Sequence, residues 1–290
     1  MLFNTLICYK FLCAKQYFVN IYCNCISEVV QWYKLGDIRN VSYLLKKDEE
    51  GNIMLNVEHV TKKYGKLTAN SDISFSVDAG QIAVLLGPNG AGKSTIIKCI
   101  SGLLRFDGKI LIGGADNKSV DAKRMLGYVP EMPAMYELMT VSEHMEFIRR
   151  AYRMENEDYC DYLLERFELA DKRDKLGKEL SKGMQQKLSI CCALAHEPKV
   201  VIFDEPMVGL DPHAIKELKK MFVELKEQGC AVLISTHMLD SVEDYWDVAH
   251  IMINGSFAAT KLNSEHNGDE KSLEELFFDI TEGGGSEAKA

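Results

Sequence analysis

The sequence predicts an α/β fold in which short buried strands alternate with helices. Three apolar runs carry this prediction: Gln81–Leu86 (QIAVLL), Lys199–Phe203 (KVVIF) and Ala231–Ser235 (AVLIS). Each run is too short for a helix, which favours a buried strand. An alternating stretch that begins at Met54 (MLNVEHVTKKYG) predicts a further strand, and residues from about 140 to 190 have helical patterns.

Composition and charge exclude some classes of function. The 290 residues are 27% charged and 47% hydrophobic, which is typical of a soluble protein with one sizeable core or two unequal ones. The 43 acidic residues outnumber the 34 basic ones, so the net field repels phosphate backbones and disfavours nucleic acid as a partner. Any bound phosphate must therefore be held by local groups. No apolar run reaches the roughly 18 residues that a membrane-spanning helix needs.

The cysteines form two groups. Those in the first 25 residues lack paired C-x-x-C spacing and nearby histidines, which disfavours a zinc site. The later ones lie in apolar-patterned segments, where a free cysteine behaves as a small hydrophobic residue, and this is typical of a reducing cytosol. The first group is Cys8, Cys13, Cys23 and Cys25, and the second is Cys99, Cys160, Cys191, Cys192 and Cys230.

Residues 1–53 differ from the rest of the chain. They show no sustained periodicity and lack the cleavage site of a signal peptide. Residues 48–53 (DEEGNI) can be encoded by a purine-rich stretch that contains a bacterial ribosome-binding sequence, placed correctly before Met54. Our hypothesis is that translation starts at Met54. The alternative is an N-terminal appendage, such as an amphipathic helix on a membrane or a partner.

A glycine-rich loop follows the first apolar run. The stretch GPNGAGKST matches G-x-x-x-x-G-K-[ST], a pattern whose backbone N–H groups converge on phosphate oxygens at a helix N-terminus. Lys93 adds a full positive charge toward the β and γ phosphates, and the Ser94 hydroxyl can complete a magnesium shell. An ordinary glycine-rich turn is the alternative, which the strand and helix on either side disfavour. The predicted nucleotide-binding residues here are Gly87, Pro88, Asn89, Gly90, Ala91, Gly92, Lys93, Ser94 and Thr95.

Two more strand ends carry polar residues. The second apolar run ends in Asp204 and Glu205, and we expect Asp204 to hold magnesium and Glu205 to polarise the water that attacks the γ phosphate. A solvated turn is the alternative for this pair. The third run is followed by Thr236 and His237, whose imidazole can donate a hydrogen bond to the γ phosphate. Taken alone, His237 is more typical of an incidental surface histidine, but its position at the end of a core strand favours the functional interpretation.

With these residues assembled, the chain resembles the ATP-binding subunits of bacterial ABC transporters over about residues 54–262. GPNGAGKST is similar to their Walker A motif, VVIFDE to Walker B, LSKGM to the family signature, GLD at 209–211 to the D-loop, His237 to the switch histidine and Tyr64 to the aromatic residue that stacks on adenine. The resemblance implies a P-loop ABC-type nucleotide-binding domain with an antiparallel β subdomain and a helical subdomain at about residues 131–190. It also implies ATP and Mg²⁺ as cofactors.

The resemblance further implies partners and a location. Two cassettes close head to tail, so Ser181 and Gly183 of the signature contact the nucleotide of a second ATPase subunit, in a homodimer or a heterodimer. A separate transmembrane permease chooses the substrate and holds the cassette on the cytoplasmic face of the membrane. The implied catalytic residues are Glu205, His237 and Lys93, and the implied metal ligands are Ser94, Asp204 and Glu131.

Three residues depart from the family pattern. Lys182 and Met184 replace a glycine and the glutamine of LSGGQ, and Glu131 replaces the Q-loop glutamine. These substitutions resemble those found in bacterial cassettes of the drug, antibiotic and ion export subclass. A carboxylate at position 131 can still reach magnesium or its water.

The helical region and the C-terminus complete the expectations. Thr140 and Glu143 predict a capping box, and the methionine-rich segment 131–139 (EMPAMYELM) predicts an exposed surface for the permease. The alternative is that its side chains fill the helical subdomain. A helix is predicted to run from Asp211 to Gln228 and another over Ser272–Ile280, within a C-terminal region of residues 263–290 that ends in a disordered tail.

Two other functions fit parts of the pattern. One is a soluble ABC-type ATPase that is not coupled to transport, although no second Walker A motif and no long heptad repeat are present. The other is a regulatory module that binds ATP with negligible turnover.

Overall fold

The computed structural model of the protein describes residues 52–155, 157–239, 242, 245–263 and 272–283. The strands are β1 (Ile53–Tyr64), β2 (Leu67–Asp78), β3 (Ile82–Leu86), β4 (Asp107–Ile112), β5 (Ala115–Asp116), β6 (Leu126–Val129), β7 (Val200–Asp204), β8 (Ala231–Thr236), β9 (Val248–Ile253) and β10 (Ser256–Leu262). The helices are α1 (Lys93–Ile100), α2 (Val120–Met125), α3 (Val141–Tyr152), α4 (Asp158–Arg166), α5 (Lys182–Leu194), α6 (Pro212–Glu227) and α7 (Leu273–Gly283), with 3-10 turns at Ala170–Lys172 and Gly177–Glu179.

The three apolar runs of the sequence are β3, β7 and β8, which are neighbours in one mixed sheet. Its strand order is β10-β9-β3-β8-β7-β6, and all neighbouring pairs are parallel except the β9–β10 hairpin. Val84 of β3 faces the core formed with the helical region, whereas Leu85 faces the core formed with α1 and the second sheet. Burial on both faces explains why these strands are continuous apolar runs. Their carboxyl ends lie at one edge of the sheet, where the predicted site residues meet.

The second sheet is antiparallel and has the strand order β2-β1-β4-β5. β1 and β2 form a long hairpin that turns at Gly65, where φ is 58°. The inward side chains of β1, such as Leu55 and Val57, are fully buried against α1 and β4. This sheet is the small antiparallel β portion that the sequence predicted.

The helical region lies between β6 and β7 and contains α3, α4 and α5. α3 begins with the predicted capping box: the Glu143 N–H donates to Thr140 Oγ1 at 3.1 Å, and the Thr140 N–H donates to the Glu143 carboxylate at 2.8 Å. α5 is buried on all sides from Gln186 to Leu194. These helices lie within or next to the predicted range of residues 131–190.

The later cysteines are reduced and buried, as the sequence predicted. Burial raises the pKa of Cys192 and Cys230 to about 12, so both thiols stay protonated at neutral pH. They therefore act as hydrophobic packing residues. The four cysteines near the N-terminus lie outside the described residues, so the expectation about zinc stays a prediction.

The terminal regions give a mixed outcome. α7 confirms the predicted C-terminal helix, with the Ser272 hydroxyl accepting the Glu275 N–H at 3.0 Å, and α6 begins directly after Asp211 as predicted. The hypothesis about a start at Met54 and the prediction of a disordered tail fall almost entirely outside the described residues and stay predictions. Across the part of the chain that the structure describes, no helix is both long enough and apolar enough to cross a bilayer.

Candidate functional site

The loop between β3 and α1 packs too closely for side chains at two of its glycines. Gly92 has φ 106°, and a Cβ atom there would lie 2.6 Å from the side-chain nitrogen of Asn70. A Cβ atom at Gly87 would lie 2.4 Å from the carbonyl oxygen of Met252. Both positions therefore require glycine. The loop closes over the N-terminus of α1, whose unpaired N–H groups and dipole favour an anion.

Lys93 is the charged residue of this loop. Its side chain is 5% exposed, and Nζ donates to the carbonyl oxygens of Gly87 at 2.6 Å and Pro88 at 3.3 Å. Nζ also lies 3.5 Å from Oε1 of Glu205. The ammonium is therefore held between the loop and the end of β7. Of the other predicted loop residues, Pro88, Asn89 and Gly90 are exposed, Ala91 is buried, and Ser94 and Thr95 are half-buried.

Asp204 ends β7 as a buried carboxylate that two hydroxyls support. Ser94 Oγ donates to Asp204 Oδ1 at 3.1 Å, and Ser235 Oγ donates to the same oxygen at 2.6 Å. Burial raises the pKa of Asp204, the two hydroxyls lower it, and the nearby charge of Glu131 raises it. A bound cation would favour the ionised form. Hydroxyl and carboxylate oxygens are also the ligands that hard divalent cations prefer.

Glu205 is buried between a cation and an imidazole. Its Oε2 lies 3.0 Å from Nδ1 of His237, and its Oε1 faces Lys93. Its backbone has φ 47°, a left-handed conformation that residues other than glycine rarely adopt. The Glu205 N–H donates to both Oγ and the carbonyl oxygen of Ser235, at 3.1 and 3.2 Å, and these bonds hold the strained turn. The arrangement fixes a carboxylate that can accept a proton.

Three predicted nucleotide-binding residues make their contacts outside this cluster. Tyr64 ends β1 and is 47% exposed, with Lys62 Nζ 4.8 Å from its ring centre. Ser181 is the exposed N-cap of α5 and accepts a backbone N–H of the first turn at 3.3 Å. Gly183 packs on the D-loop, since a Cβ atom there would lie 2.7 Å from the carbonyl oxygen of Gly209. Within one subunit, the signature therefore contacts the D-loop and leaves the Ser181 side exposed.

Two residues that support the site were not predicted from the sequence. Ser235 bonds to both acidic residues, and the signal for it was a hydroxyl at the end of the otherwise apolar run AVLIS. Asn70 is fully buried, and its Nδ2 donates to the Gly92 carbonyl at 3.2 Å, while its Oδ1 has no partner among the described residues. Asn70 lies in a polar stretch of β2 that carries no distinguishing pattern.

The methionine-rich segment 131–139 is only partly exposed. Met132 is 80% exposed and Leu138 is 51% exposed. Met135 instead packs against the core, and the Tyr136 N–H donates to His144 Nε2 at 2.9 Å. The predicted surface is therefore limited to its outward residues, because the others fill space against α3.

Comparison with known proteins decides the family. The profile of the family described as ABC transporter matches residues 70–208. The chain is 34% identical over 227 residues to the lipopolysaccharide export system ATP-binding protein LptB of Haemophilus influenzae. This alignment covers 75% of this chain and 94% of that protein. It is 35% identical over 238 residues to the ABC-type transporter ATP-binding protein EcsA of Bacillus subtilis, covering 79% of this chain and 96% of that protein. The chain belongs to the ABC transporter family.

A solved ATP-binding subunit of an ABC transporter has the same fold as this ABC cassette. The TM-score is 0.73 at 36% identity, over 79% of this chain and 99% of that one. The predicted P-loop ABC-type fold is therefore confirmed. The chain is a nucleotide-binding ATPase subunit of a transporter, and the comparison does not favour an ATPase uncoupled from transport.

Proposed function

We propose that this ABC cassette binds Mg-ATP, pairs head to tail with a second ATPase subunit around two nucleotides, and powers export through a separate permease. The observation that carries the proposal is the line of contacts from Lys93 through Glu205 to His237, beside the Ser94–Asp204 pair. These contacts support the proposal because they bring an ammonium, two carboxylates, a hydroxyl and an imidazole together at one sheet edge. Lys93 and Ser94 come from the loop and helix after β3, Asp204 and Glu205 from the end of β7, and His237 from the residue after β8.

The phosphates are assigned to the loop at residues 87–95. The present partners of Lys93 are two carbonyl oxygens and a carboxylate, all of them acceptors like the oxygens of a phosphate. Ser94 and Asp204 fit Mg²⁺ because they offer a hydroxyl and a carboxylate oxygen 3.1 Å apart, and Glu131 adds negative charge nearby. When bound, Mg²⁺ neutralises charge on the β and γ phosphate oxygens.

Glu205 is assigned as the general base. A water oxygen attacks the γ phosphorus, the bond to the bridging oxygen of ADP breaks, and Glu205 accepts the water proton. Lys93 and His237 hold the carboxylate from opposite sides, so it does not have to be reoriented during the reaction. His237 also offers an imidazole to the γ phosphate.

Dimer formation is assigned to the signature. Ser181 is exposed at the N-terminus of α5, so its hydroxyl and the N–H groups of the first turn are suited to a phosphate from a second subunit. Gly183 adds a further N–H in that turn. The exposed ring of Tyr64 is assigned to adenine stacking within the same subunit.

Export and membrane attachment are inferred from the relatives and from the surface of the helical region. Among the relatives are proteins named for lipopolysaccharide export in Haemophilus influenzae and for SkfA peptide export in Bacillus subtilis. Met132 and Leu138 are exposed apolar side chains of the segment 131–139, and a permease helix can cover them. The cassette would then lie on the cytoplasmic face of the membrane, attached through its permease.

The central test replaces Glu205 by glutamine. Glu205→Gln keeps the size and the contact with Lys93 but removes the proton acceptor, so ATP binding should persist while turnover falls by about 10²- to 10⁴-fold. A stable ATP-bound dimer should accumulate, as measured by size-exclusion chromatography with light scattering. Glu227→Gln, an exposed residue at the end of α6, is the matched control. Normal turnover in Glu205→Gln would remove the assigned base, and a variant that binds ATP but stays monomeric would remove the dimer.

A second test addresses the permease surface. Met132→Asp combined with Leu138→Asp should reduce the fraction of the chain that co-sediments with membranes of its own host, because a charge cannot be buried in an apolar contact. Binding of a fluorescent ATP analogue should be unchanged. The control is Val223→Asp, which places the same charge on an exposed apolar position of α6. Equal co-sedimentation of the wild type, the double variant and the Val223→Asp control would count against the assigned surface.

A further inference from the structure

Lys187 is a buried lysine that the proposed reaction does not use. Its side chain is 8% exposed, and Nζ lies 2.8 Å from Oδ2 of Asp211 and 3.0 Å from Oε2 of Glu168. A buried ammonium is retained only when it is paired, and here two carboxylates pair with it. The hydrogen bond from Lys187 helps to lower the pKa of Asp211 to about 2, so the pair stays charged at neutral pH.

The two carboxylates belong to different parts of the fold. Asp211 is the last residue of the D-loop and caps α6, with its Oδ1 accepting the Ala214 N–H at 2.9 Å. Glu168 follows α4 in a left-handed conformation, with φ 58°, which is unusual for a residue other than glycine. One ammonium on α5 therefore joins the end of α4 to the start of α6.

Two further contacts lie on the same face of α5. Gly183 packs against the Gly209 carbonyl with no room for a side chain, and Gln186 Nε2 donates to the Pro206 carbonyl at 3.4 Å. Positions 183, 186 and 187 are spaced i, i+3 and i+4, so they form one face of the helix. This face contacts the segment 206–211, which begins directly after Glu205.

We infer that Lys187 is a positioning residue that fixes the orientation of α5, and through it the Ser181 lid that this subunit presents to the nucleotide of its partner. The inference rests on the proposed dimer. Lys187 lies six residues after Ser181, a distance of roughly 9 Å along the helix axis. Gly183 and Gln186 supply only a close approach and a long hydrogen bond, whereas Lys187 supplies two charge-assisted bonds. Loss of the ammonium frees α5 to rotate against segment 206–211 and displaces the lid.

The first experiment measures dimer formation in the Glu205→Gln background. Lys187→Met should weaken ATP-dependent dimerisation by about 10- to 100-fold in analytical ultracentrifugation, because a lid displaced by about an ångström loses its contacts. Binding of a fluorescent ATP analogue to the monomer should be unchanged, and Lys187→Arg should restore most of the dimer. Lys220→Met removes an exposed lysine paired with Glu217 on α6 and is the matched control.

A second variant protects the test against misfolding. Asp211→Asn keeps the N-cap of α6, since asparagine is also a preferred cap, but it removes the charge that Lys187 faces. It should weaken the dimer in the same direction as Lys187→Met and by a smaller factor. Thermal unfolding of each monomer shows which variants are folded.

The third experiment places the effect in one of the two sites. Mixed dimers carry Glu205→Gln on one subunit, so a single site remains active. When Lys187→Met is on that same subunit, the altered lid closes the active site; when it is on the other subunit, the active site keeps a normal lid. The inference predicts the larger loss of kcat in the first arrangement. A positioning role in the subunit's own site would give the opposite order.

The outcomes separate this inference from the proposed function. If Glu205→Gln does not dimerise with ATP even with Lys187 intact, the dimer and the role of Lys187 are both overturned. If that dimer forms and Lys187→Met leaves its affinity unchanged, only the role of Lys187 is overturned. An equal loss in both mixed dimers also overturns it, because a general loss of stability would act in both arrangements.

Discussion

Ser235 supports both acidic residues of the site, so its replacement by alanine measures what this support contributes. Its hydroxyl donates to Asp204 Oδ1 at 2.6 Å and accepts the Glu205 N–H at 3.1 Å, and the residue is fully buried. Ser235→Ala removes only the oxygen atom. Of the two hydroxyls that donate to Asp204, only that of Ser94 then remains, at 3.1 Å.

The expected loss of stability follows from these bonds. A hydrogen bond to a charged group contributes about 1.5 to 3 kcal/mol, and the Asp204 carboxylate has almost no access to water that could replace it. The Glu205 N–H still donates to the Ser235 carbonyl at 3.2 Å, so the loss of its bond to the hydroxyl adds little to the decrease in stability. We therefore expect a decrease of about 2 to 3 kcal/mol in the free energy of unfolding. For a domain of this size the melting temperature should fall by roughly 4 to 12 °C.

The assay is thermal unfolding followed by circular dichroism, at neutral pH and without nucleotide. Ser189→Ala is the matched control: its hydroxyl is equally buried, on α5, but has no partner among the described residues, so its removal should be neutral or slightly stabilising. Because the Ser235 hydroxyl lowers the pKa of Asp204, its loss should also raise the Mg²⁺ concentration needed for half-maximal ATPase. The reasoning is refuted if Ser235→Ala and Ser189→Ala unfold at the same temperature.

Two further predictions concern the loop and the segment before α3. Asn70→Leu removes the bond to the Gly92 carbonyl together with an unpaired buried oxygen, so stability should change little while KM for ATP rises a few-fold; an unchanged KM would contradict it. His144 is buried and neutral, with contacts to Thr140 and Tyr136, and burial lowers its pKa. Its contribution is therefore present above the ordinary pKa of about 6.5 and is lost as pH falls through the lowered pKa. Wild type should lose more stability than His144→Leu between pH 7.5 and pH 5, and parallel melting curves would show otherwise.

Local patterns in the sequence predicted most residues of the candidate site. The runs that became β3, β7 and β8 each end in the residues that meet at the sheet edge, and the loop motif names its own residue types. The capping box of α3 and the start of α6 were equally local, since a cap involves residues within one turn. Such features depend on neighbours in the chain, which the sequence states directly.

Other predictions were local in form but depended on distant residues. Segment 131–139 has the composition of an exposed surface, yet Met135 is half-buried against the core and the Tyr136 N–H donates to His144. The amino-acid composition of a segment shows that its side chains can adapt to a partner, but it does not show which helix or strand packs against them. The exposed part of this segment is therefore narrower than its composition indicates, and its role in binding a permease stays a prediction.

The sequence by itself determined the buried strands, the glycine-rich loop after β3 and the acidic residues at the end of β7, because each arises from residues adjacent in the chain. Only the tertiary structure decided that Ser235 supports Asp204, that Asn70 supports Gly92, and that Lys187 joins Asp211 to Glu168. These contacts join residues on different strands and helices. They depend on strand order and helix packing, which are set by the burial of two cores and leave no periodic signal in the chain.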